Sequence, residues 1–310
     1  MGEKVVNSGA SLFGKLKHRA KEAGVPFETF LRRYAQERLI HLISTSKHAD
    51  GFCLKGGVLM AALNEGNPMR PTEDIDFGGM NPEGTISSIL EMLRDVCALH
   101  DGSDGLTFDV DTLRVLKDRD DGAVPGGKVT MQARIHSAVI PMKIDIGFGN
   151  PITPSVKRMR IQTIMPDLIP PPTISVYPLE TVVAEKFHAM SRHGIANTRF
   201  KDYFDIYIIS DRFSLDGEAL AAAIRNTFAQ FGEPIPVEPD GLSDAFVENA
   251  SAAWTQFRSR VYAAKQLEIR DVIERVRAFI VPAAQAANGG DCLGIWEPGR
   301  GWAEAHALQP

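Results

Sequence analysis

The stretch that decides the fold is FCLKGGVLMAALNEGNPMRPTEDIDFGG, residues 52–79. Its first three residues are apolar and predict a short buried strand. Two glycines follow, and the apolar residues 58–63 after them predict a helix. Beyond a loop that contains Gly and Pro, Asp74-Ile75-Asp76-Phe77 alternates polar and apolar residues, which predicts a second strand. The segment therefore predicts a strand, a Gly-Gly turn, a helix and a strand that carries two carboxylates.

The two carboxylates of the second strand predict a metal site. Residues i and i+2 of a strand point to the same side, so Asp74 and Asp76 lie side by side while Ile75 and Phe77 face the core. Adjacent carboxylates repel one another, and a bound cation would relieve that repulsion. Mg²⁺ prefers oxygen ligands and commonly shares them with substrate phosphates. We therefore expect Asp74 and Asp76 to bind Mg²⁺ or Mn²⁺.

A third carboxylate follows from the strand predicted over residues 139–148. That segment alternates Ile140, Met142, Ile144 and Ile146 with polar residues, among them Asp145. On a neighbouring strand, Asp145 would complete a two-metal site, in which the ions lie about 3.5–4 Å apart. We expect it to hold the second ion or to accept the proton of an acceptor hydroxyl.

The glycines between strand and helix predict a phosphate site. Gly56 and Gly57 would let backbone amides approach a triphosphate at the helix N-terminus, and Lys55 precedes them. A Gly-Gly or Asp-x-Asp motif alone more often marks a turn or a cap. The ordered set of strand, Lys-Gly-Gly, helix, RPTEDIDF and Asp145 is much more specific.

The chain divides at a proline-rich stretch. Residues 151–178 hold seven of the 19 prolines and a candidate strand at 156–164. We place the boundary here and expect an α/β (α+β) protein with domains at 1–165 and 166–310. Helices are predicted at 11–23, 27–44, 86–99, 179–193, 199–210, 218–231, 243–264 and 267–286, and further strands at 107–116 and 129–136. The role of 287–310 stays open between a docked and a loose tail.

Two predicted helices of the second half carry charged candidates. Lys186 borders an apolar stripe, where a lysine either extends to water or reaches a phosphate as a point charge. Arg199, Asp202 and Asp205 share one face of the next helix. That face is either solvated or, because Ile206 and Ile209 lie within it, the wall of a cleft. We favour a functional role for Asp202 and leave Arg199 and Asp205 open.

Composition and charge exclude several classes of protein. The chain has 310 residues, of which 44% are hydrophobic and 24% charged, so disorder, collagen and coiled coil are excluded. It has neither an apolar run of about 18 residues nor a signal-peptide pattern. Its three cysteines form no C-x-x-C pair, which argues against disulfides and cysteine-bound zinc. We therefore expect a cytoplasmic protein without a membrane anchor.

The net charge of −5 is unevenly distributed. Residues 1–60 have ten Lys or Arg against five Asp or Glu, a net +5, and the remainder carries −10. This basic segment, together with Lys157, Arg158 and Arg160, is a candidate contact surface for an RNA backbone. A solvated helix face is the alternative.

Four blocks of sequence resemble the AbiEii/AbiGii nucleotidyltransferase toxin family of type IV toxin–antitoxin systems. They are FLRRYAQERLIHLISTSKHAD (30–50), residues 52–79, VYPLETVVAEKFHAM (176–190) and NTRFKDYFDIY (197–207). The resemblance implies a DNA polymerase β-like nucleotidyltransferase fold with a mixed β-sheet in the N-terminal lobe and a helical C-terminal lobe. It also implies a bacterial toxin of an abortive-infection or phage-defence system that uses Mg²⁺ and a nucleoside triphosphate and is paired with an antitoxin.

The family's functional positions map onto this chain residue by residue. The resemblance assigns the phosphate loop to Gly56-Gly57, the metal-binding motif to Asp74 and Asp76, the lysine of the AEK block to Lys186, and the R-x-K-D block to Arg199, Lys201 and Asp202. Thr72 stands where relatives carry Ser or Thr. Its hydroxyl could contact phosphate, be modified, or cap the loop.

The resemblance also suggests the reaction. Some relatives add nucleotides to the 3′ end of tRNA, so we expect transfer of a nucleoside monophosphate to RNA, with Asp74, Asp76, Asp145, Lys186 and Asp202 catalytic. The nucleotide-binding set adds Lys55, Gly56, Gly57, Thr72 and Arg199. A protein or small-molecule hydroxyl as the acceptor, and a nucleotide-binding regulator without catalysis, are the alternatives.

Overall fold

The computed structural model describes residues 8–64, 70–118 and 125–304. The α-helices are α1 (Ser8–Glu22), α2 (Phe27–Thr45), α3 (Gly56–Leu63), α4 (Ile86–Ala98), α5 (Leu179–His193), α6 (Phe200–Arg212), α7 (Gly217–Phe231), α8 (Asp244–Ser259) and α9 (Ile269–Ala287). The strands are β1 (Phe52–Lys55), β2 (Asp74–Gly79), β3 (Leu106–Asp118), β4 (Gly126–Ile135), β5 (Ala138–Phe148), β6 (Lys157–Arg160), β7 (Thr173–Val176), β8 (Leu215–Asp216), β9 (Leu293–Glu297) and β10 (Gly301–Glu304).

The chain divides into two compact units. The first comprises Met1–Gly149 and Arg158–Val176, and the second comprises Asn150–Lys157 and Tyr177–Pro310. Each unit is therefore built from two separate stretches of the chain.

The first unit contains a mixed sheet of seven strands in the order β3-β4-β5-β2-β1-β7-β6. Strands β3, β4 and β5 form consecutive antiparallel pairs. The next pair, β5 and β2, is parallel, β2 and β1 are antiparallel, and β1 and β7 are parallel. This arrangement places β2, with its two aspartates, in the interior of the sheet between β1 and β5.

Alternation along the central strands separates a core face from a polar face. Ile75 and Phe77 of β2 are both 0% exposed, as are Ile144 and Ile146 of β5. Their neighbours Asp74, Asp76 and Asp145 are only half-buried. The helices of this unit complete its core; α2 contributes the fully buried side chains of Leu39, Ile40 and Ile43. The mixed α/β fold expected from the sequence is confirmed.

The second unit is mainly helical. Its core is formed by aromatic and aliphatic side chains of α5, α6, α7 and α9, including Phe187, Phe204, Phe228 and Phe279. The helix predicted over 243–264 is divided, since α8 ends at Ser259 and a separate 3₁₀ turn spans Tyr262–Ala264. The intervening Val261 has an extended backbone (φ −119°, ψ 101°), which a continuous helix does not allow.

The segment after α9 is a docked hairpin. Strands β9 and β10 pair antiparallel and join β8 in a three-stranded sheet. The Trp296 indole donates a hydrogen bond to the Ser210 carbonyl (2.7 Å), and the Trp302 ring stacks on Phe279 with 5.5 Å between ring centroids. Residues 287–310 were expected to form either a docked or a loose tail. The tail is docked as far as residue 304, and residues 305–310 lie outside the described part.

None of the helices in the described ranges combines the length and apolar character that a membrane-spanning helix requires.

Candidate active site

Four charged residues form a row across the middle of the seven-stranded sheet. Lys128 of β4 pairs with Asp145 of β5, Asp145 pairs with Asp76 of β2, and Asp76 pairs with Lys55 of β1. Directly paired residues on adjacent strands point to the same side of a sheet. The register therefore brings Asp76 and Asp145 together on one face, between two lysines.

Asp74 lies on the same face, two residues before Asp76. Its carboxylate forms an ion pair with Lys128, with Nζ 2.5 Å from Oδ2. The paired residue of Asp74 on β5 is Lys143, whose ammonium instead contacts Glu73 Oε2 at 2.7 Å. The structure thus gathers the three aspartates singled out from the sequence and adds Lys128, which the sequence did not single out.

The electrostatics of Lys128 reflect all three aspartates. Burial opposes its charged form, but the hydrogen bond and charge of Asp74 and the charges of Asp145 and Asp76 outweigh this and raise the pKa of Lys128. The ammonium is therefore the stable form, and it offsets part of the repulsion among the carboxylates.

The two glycines pack directly against the site. Gly56 has φ +66°, and a Cβ there would lie 2.1 Å from Asp76 Oδ2. A Cβ on Gly57 would lie 2.5 Å from Thr72 Oγ1. Only glycine permits this close approach of the start of α3 to Asp76 and Thr72. The Thr72 hydroxyl donates to the Asp74 carbonyl (3.3 Å), so it joins the glycine turn to β2.

A buried glutamine fixes the start of β2. Gln36 of α2 is 3% exposed, and its amide nitrogen donates to the Glu73 carbonyl at 3.0 Å. The bond holds the residue immediately before Asp74 and so helps to set the position of the carboxylates. No local sequence pattern predicts this contact, because Gln36 lies far from β2 along the chain.

The charged candidates of the second unit form a compact cluster. Lys186 Nζ lies 2.8 Å from Asp202 Oδ1 and 2.8 Å from Asp205 Oδ2. The Arg199 Nε contacts Asp202 Oδ2 at 2.7 Å. Since Asp202 is 2% and Asp205 1% exposed, the solvated-face alternative is wrong for both aspartates. Lys186 does not extend to water either, because its side chain is only 12% exposed.

The cluster stabilises the ionised form of Asp202. Burial opposes the charge, but Lys186 and Arg199 outweigh it and lower the pKa of Asp202 to about 2. The Lys186 ammonium and the half-exposed Arg199 guanidinium offset the charges of the two buried carboxylates. Asp205, which the sequence left open, is thus a direct partner of Lys186.

The donor set of the first unit fits a divalent cation. Within residues 8–64, 70–118 and 125–304, no three His, Cys, Asp or Glu side chains are grouped closely enough to count as a metal site. However, the register places three carboxylates on one face, and an ammonium is already drawn to them. Carboxylate oxygens are the ligands that Mg²⁺ and Mn²⁺ prefer.

Only part of the basic set proposed for RNA contact is exposed: Arg33 and Arg38 of α2 are largely buried in ion pairs with Glu37 and Asp104, and Lys4 lies outside the described residues. Lys15, Lys17 and Lys21 of α1 are exposed, as are the basic residues of β6. Arg158 is partly engaged within the protein, because its guanidinium contacts Asp50 (3.2 Å) and the Thr173 carbonyl (3.1 Å). RNA contact by these residues stays a prediction.

Comparisons with known proteins identify a family and similar solved structures. A family model described as nucleotidyl transferase AbiEii toxin, type IV TA system, matches residues 38–280. The solved structure of MenT4, a nucleotidyltransferase toxin from Mycobacterium tuberculosis H37Rv, is similar with a TM-score of 0.57 at 19% identity, covering 87% of this chain and 89% of that one. JHP933 from Helicobacter pylori gives a TM-score of 0.47 at 14% identity, covering 84% and 92%. A search of curated protein sequences finds no match.

Proposed function

The chain belongs to the AbiEii nucleotidyltransferase toxin family of type IV toxin–antitoxin systems, and from this premise we propose that it transfers a nucleoside monophosphate from an NTP to an RNA. The acceptor we propose is the 3′ end of tRNA. The observation that carries the proposal is the placement of Asp74, Asp76 and Asp145 on one face of the sheet, beside the Gly56-Gly57 turn.

The residues of the first unit bind the triphosphate end of the nucleotide. Asp74, Asp76 and Asp145 would hold Mg²⁺ or Mn²⁺, which when bound supplies positive charge to the phosphates. Gly56 and Gly57 let phosphate oxygens approach the backbone amides at the start of α3. Lys55, in register with Asp76, and Thr72, against Gly57, complete the nucleotide-binding set.

The residues of the second unit provide fixed positive charge. Lys186 and Arg199 are proposed as nucleotide-binding residues because the family resemblance assigns them that role. Asp202 and Asp205 hold the Lys186 ammonium in one position, so its charge needs little reorganisation during the reaction. Asp202 is therefore proposed to act by positioning Lys186.

The chemistry is an in-line substitution at the α-phosphorus. The 3′-hydroxyl oxygen of the acceptor forms the new P–O bond, the bond from the α-phosphorus to the bridging oxygen breaks, and pyrophosphate leaves. The hydroxyl proton passes to the Asp145 carboxylate in the alternative in which Asp145 does not hold the second ion. Most of the acceleration comes from positioning and charge complementarity.

The decisive experiment follows label from each of four α-³²P NTPs into total tRNA. We expect label transfer by the wild-type chain and a loss of roughly 1,000-fold or more in Asp74→Ala, because a proposed metal ligand is removed from the site. The circular dichroism spectrum and unfolding midpoint of Asp74→Ala should stay close to those of the wild type, since Asp74 is on the polar face.

The matched control is Asp111→Ala, which removes an exposed carboxylate from β3 of the same sheet. It should transfer label like the wild type. Wild-type transfer by Asp74→Ala would refute the proposal. Parallel reactions with cell lysate and with small acceptors test protein and small-molecule hydroxyls. NTP–Mg²⁺ binding without pyrophosphate release for any acceptor would indicate a non-catalytic nucleotide-binding regulator.

A further inference from the structure

We propose that Lys128 is a built-in counter-cation, which occupies the position beside Asp74 that a divalent ion needs and must leave its ion pair when the ion binds. The proposal rests on the proposed metal-binding role of Asp74, Asp76 and Asp145. It goes beyond that role, because it assigns a positioning residue that controls how tightly the ion is held.

The sheet register aims Lys128 at the carboxylates. Lys128 pairs with Asp145 on β5, and its side chain crosses that strand to reach Asp74 on β2, where Nζ lies 2.5 Å from Oδ2. The β4 residue in the same row as Asp74 is Thr130, two residues along the strand, so the Lys128 side chain reaches Asp74 diagonally. Lys128 therefore touches one carboxylate and faces a second.

The ion pair between Lys128 and Asp74 is partly shielded from water, which strengthens it. The side chains of Lys128 and Asp74 are 28% and 29% exposed, unlike those of a fully solvated surface pair. Ion pairs at full exposure contribute little, whereas partial burial strengthens the attraction. In the absence of a divalent ion, Lys128 is thus expected to hold the three carboxylates together against their mutual repulsion.

Lys128 and a divalent ion cannot share Asp74 without a cost. Two cations about 4 Å apart repel one another, and the repulsion is stronger away from bulk water. An incoming ion therefore displaces the ammonium, and the affinity for the ion is lower than three unopposed carboxylates would give. The neighbouring Lys143 does not play this role, since its ammonium contacts Glu73.

The test is Lys128→Gln in the full chain, without NTP. Mn²⁺ binding is measured by electron paramagnetic resonance and Mg²⁺ binding by calorimetry. We expect affinity for either ion to rise about tenfold or more, the change that roughly 1.4 kcal/mol of removed repulsion produces. In EDTA the unfolding midpoint should fall below that of the wild type, and millimolar Mg²⁺ should restore it.

Two further variants separate this role from a general charge effect. Arg134→Gln removes one positive charge from the same strand, where Arg134 pairs with Asp109, and should leave ion affinity unchanged. The double variant Asp74→Asn/Lys128→Gln removes both members of the ion pair and should lose the gain in affinity. If Lys128→Gln folds only with a bound cation, the variant can be purified in Mg²⁺, and the Mg²⁺ can then be removed by dialysis before ion binding is measured.

The outcomes distinguish this proposal from the proposed function. If Lys128→Gln binds Mn²⁺ no more tightly than the wild type, while the wild type binds it and transfers label, the counter-cation role is wrong and the proposed function stands. Weaker binding by Lys128→Gln would also overturn the role. If neither form binds a divalent ion, the metal site and the counter-cation role both fail.

Discussion

At the scale of single residues, the close approach of Gly56 to Asp76 connects the Gly-Gly turn to the carboxylates. The backbone at Gly56 is left-handed (φ +66°), and the space beside its Cα is filled by the Asp76 carboxylate. Two constraints, one conformational and one steric, therefore act on the same residue. The two constraints can be separated experimentally, because Gly24 has a left-handed backbone but no neighbouring atom that a Cβ would meet.

Gly56→Ala tests the steric constraint. We expect its free energy of unfolding to fall by at least about 1–2 kcal/mol, the cost of a left-handed backbone at a residue with a Cβ. Because the new Cβ displaces Asp76, label transfer should fall about 100-fold or more. Urea unfolding and the tRNA labelling assay measure the two effects.

Gly24→Ala is the matched control for this prediction. Gly24 has φ +65° and nothing within 4 Å of the position that a Cβ would take. The free energy of unfolding of Gly24→Ala should also fall by about 1–2 kcal/mol, because the substitution puts a Cβ on a left-handed backbone. Its transfer activity should stay at the wild-type level. Equal activity losses in the two variants would show that stability, and not the position of Asp76, limits transfer.

Some residues of the candidate site could be predicted from sequence and others could not. Asp74, Asp76 and Gly56 lie within one short motif, so local alternation and turn chemistry were enough to select them. Lys128 has the right alternation, since Val129 and Met131 beside it are buried. Its proximity to Asp74 depends on the β4-β5-β2 register, which is a long-range property that no local pattern encodes.

At the scale of secondary-structure elements, buried ion pairs connect α5 to α6. Lys186 on α5 contacts two buried aspartates on α6. Removing one member of a buried ion pair leaves an uncompensated charge and typically costs about 3–5 kcal/mol. Loss of activity in a Lys186 variant would therefore report stability as well as catalysis.

The pH dependence of stability isolates the Asp202 contribution. The pKa of Asp202 is lowered to about 2, below the value of about 3.9 in an unfolded chain. A lowered carboxyl pKa stabilises the fold above the unfolded value, and this stabilisation is lost as pH falls towards the folded value. The expected contribution is about 2 kcal/mol at neutral pH.

Urea unfolding of the wild type and Asp202→Asn from pH 6 to pH 2.5 tests this expectation. The stability difference between the two should be constant above about pH 5 and shrink below about pH 4. Asp291→Asn, at an exposed position of the same unit, should show no such trend relative to the wild type. A difference that stays constant down to pH 2.5 would contradict the assigned pKa.

Most elements were predictable, and the exceptions share a cause. Helices with a continuous apolar stripe, such as α5 and α7, have almost the predicted bounds. Strand β7 and the β9–β10 hairpin were missed. These strands are only four or five residues long. Their apolar residues pack against residues that are distant in sequence; for example, Trp302 stacks on Phe279. Short elements of this kind are specified by tertiary packing more than by local pattern.

At the scale of the whole molecule, charge is segregated along the sequence. Residues 1–60 carry a net +5 on a chain with an overall charge of −5. Within that segment the lysines of α1 are exposed, while Leu12 and Leu16 on the same helix are buried. An anchored helix with an outward basic face is suited to phosphate contacts.

Salt dependence tests RNA binding by this basic face. In the variant Lys15→Gln/Lys17→Gln/Lys21→Gln, we expect weaker RNA binding because phosphate contacts are lost. The plot of log kcat/KM for tRNA against log salt concentration should become shallower by about 2, or about 0.7 per lost contact. The charge-matched variant Lys265→Gln/Arg270→Gln/Arg300→Gln should keep the wild-type slope, and identical slopes in all three proteins would refute the contact.

The close fit of Gly56 against Asp76 also has a genetic consequence. Every other amino acid carries a Cβ, so any missense mutation of this codon brings a carbon atom against the carboxylate. If the position of Asp76 is essential for the proposed transfer, many independent single-nucleotide changes at this one codon would abolish the activity while the polypeptide is still produced. Among cells that survive expression of this chain without its antitoxin, mutations at the Gly56 codon should be more frequent than at an average codon of the gene.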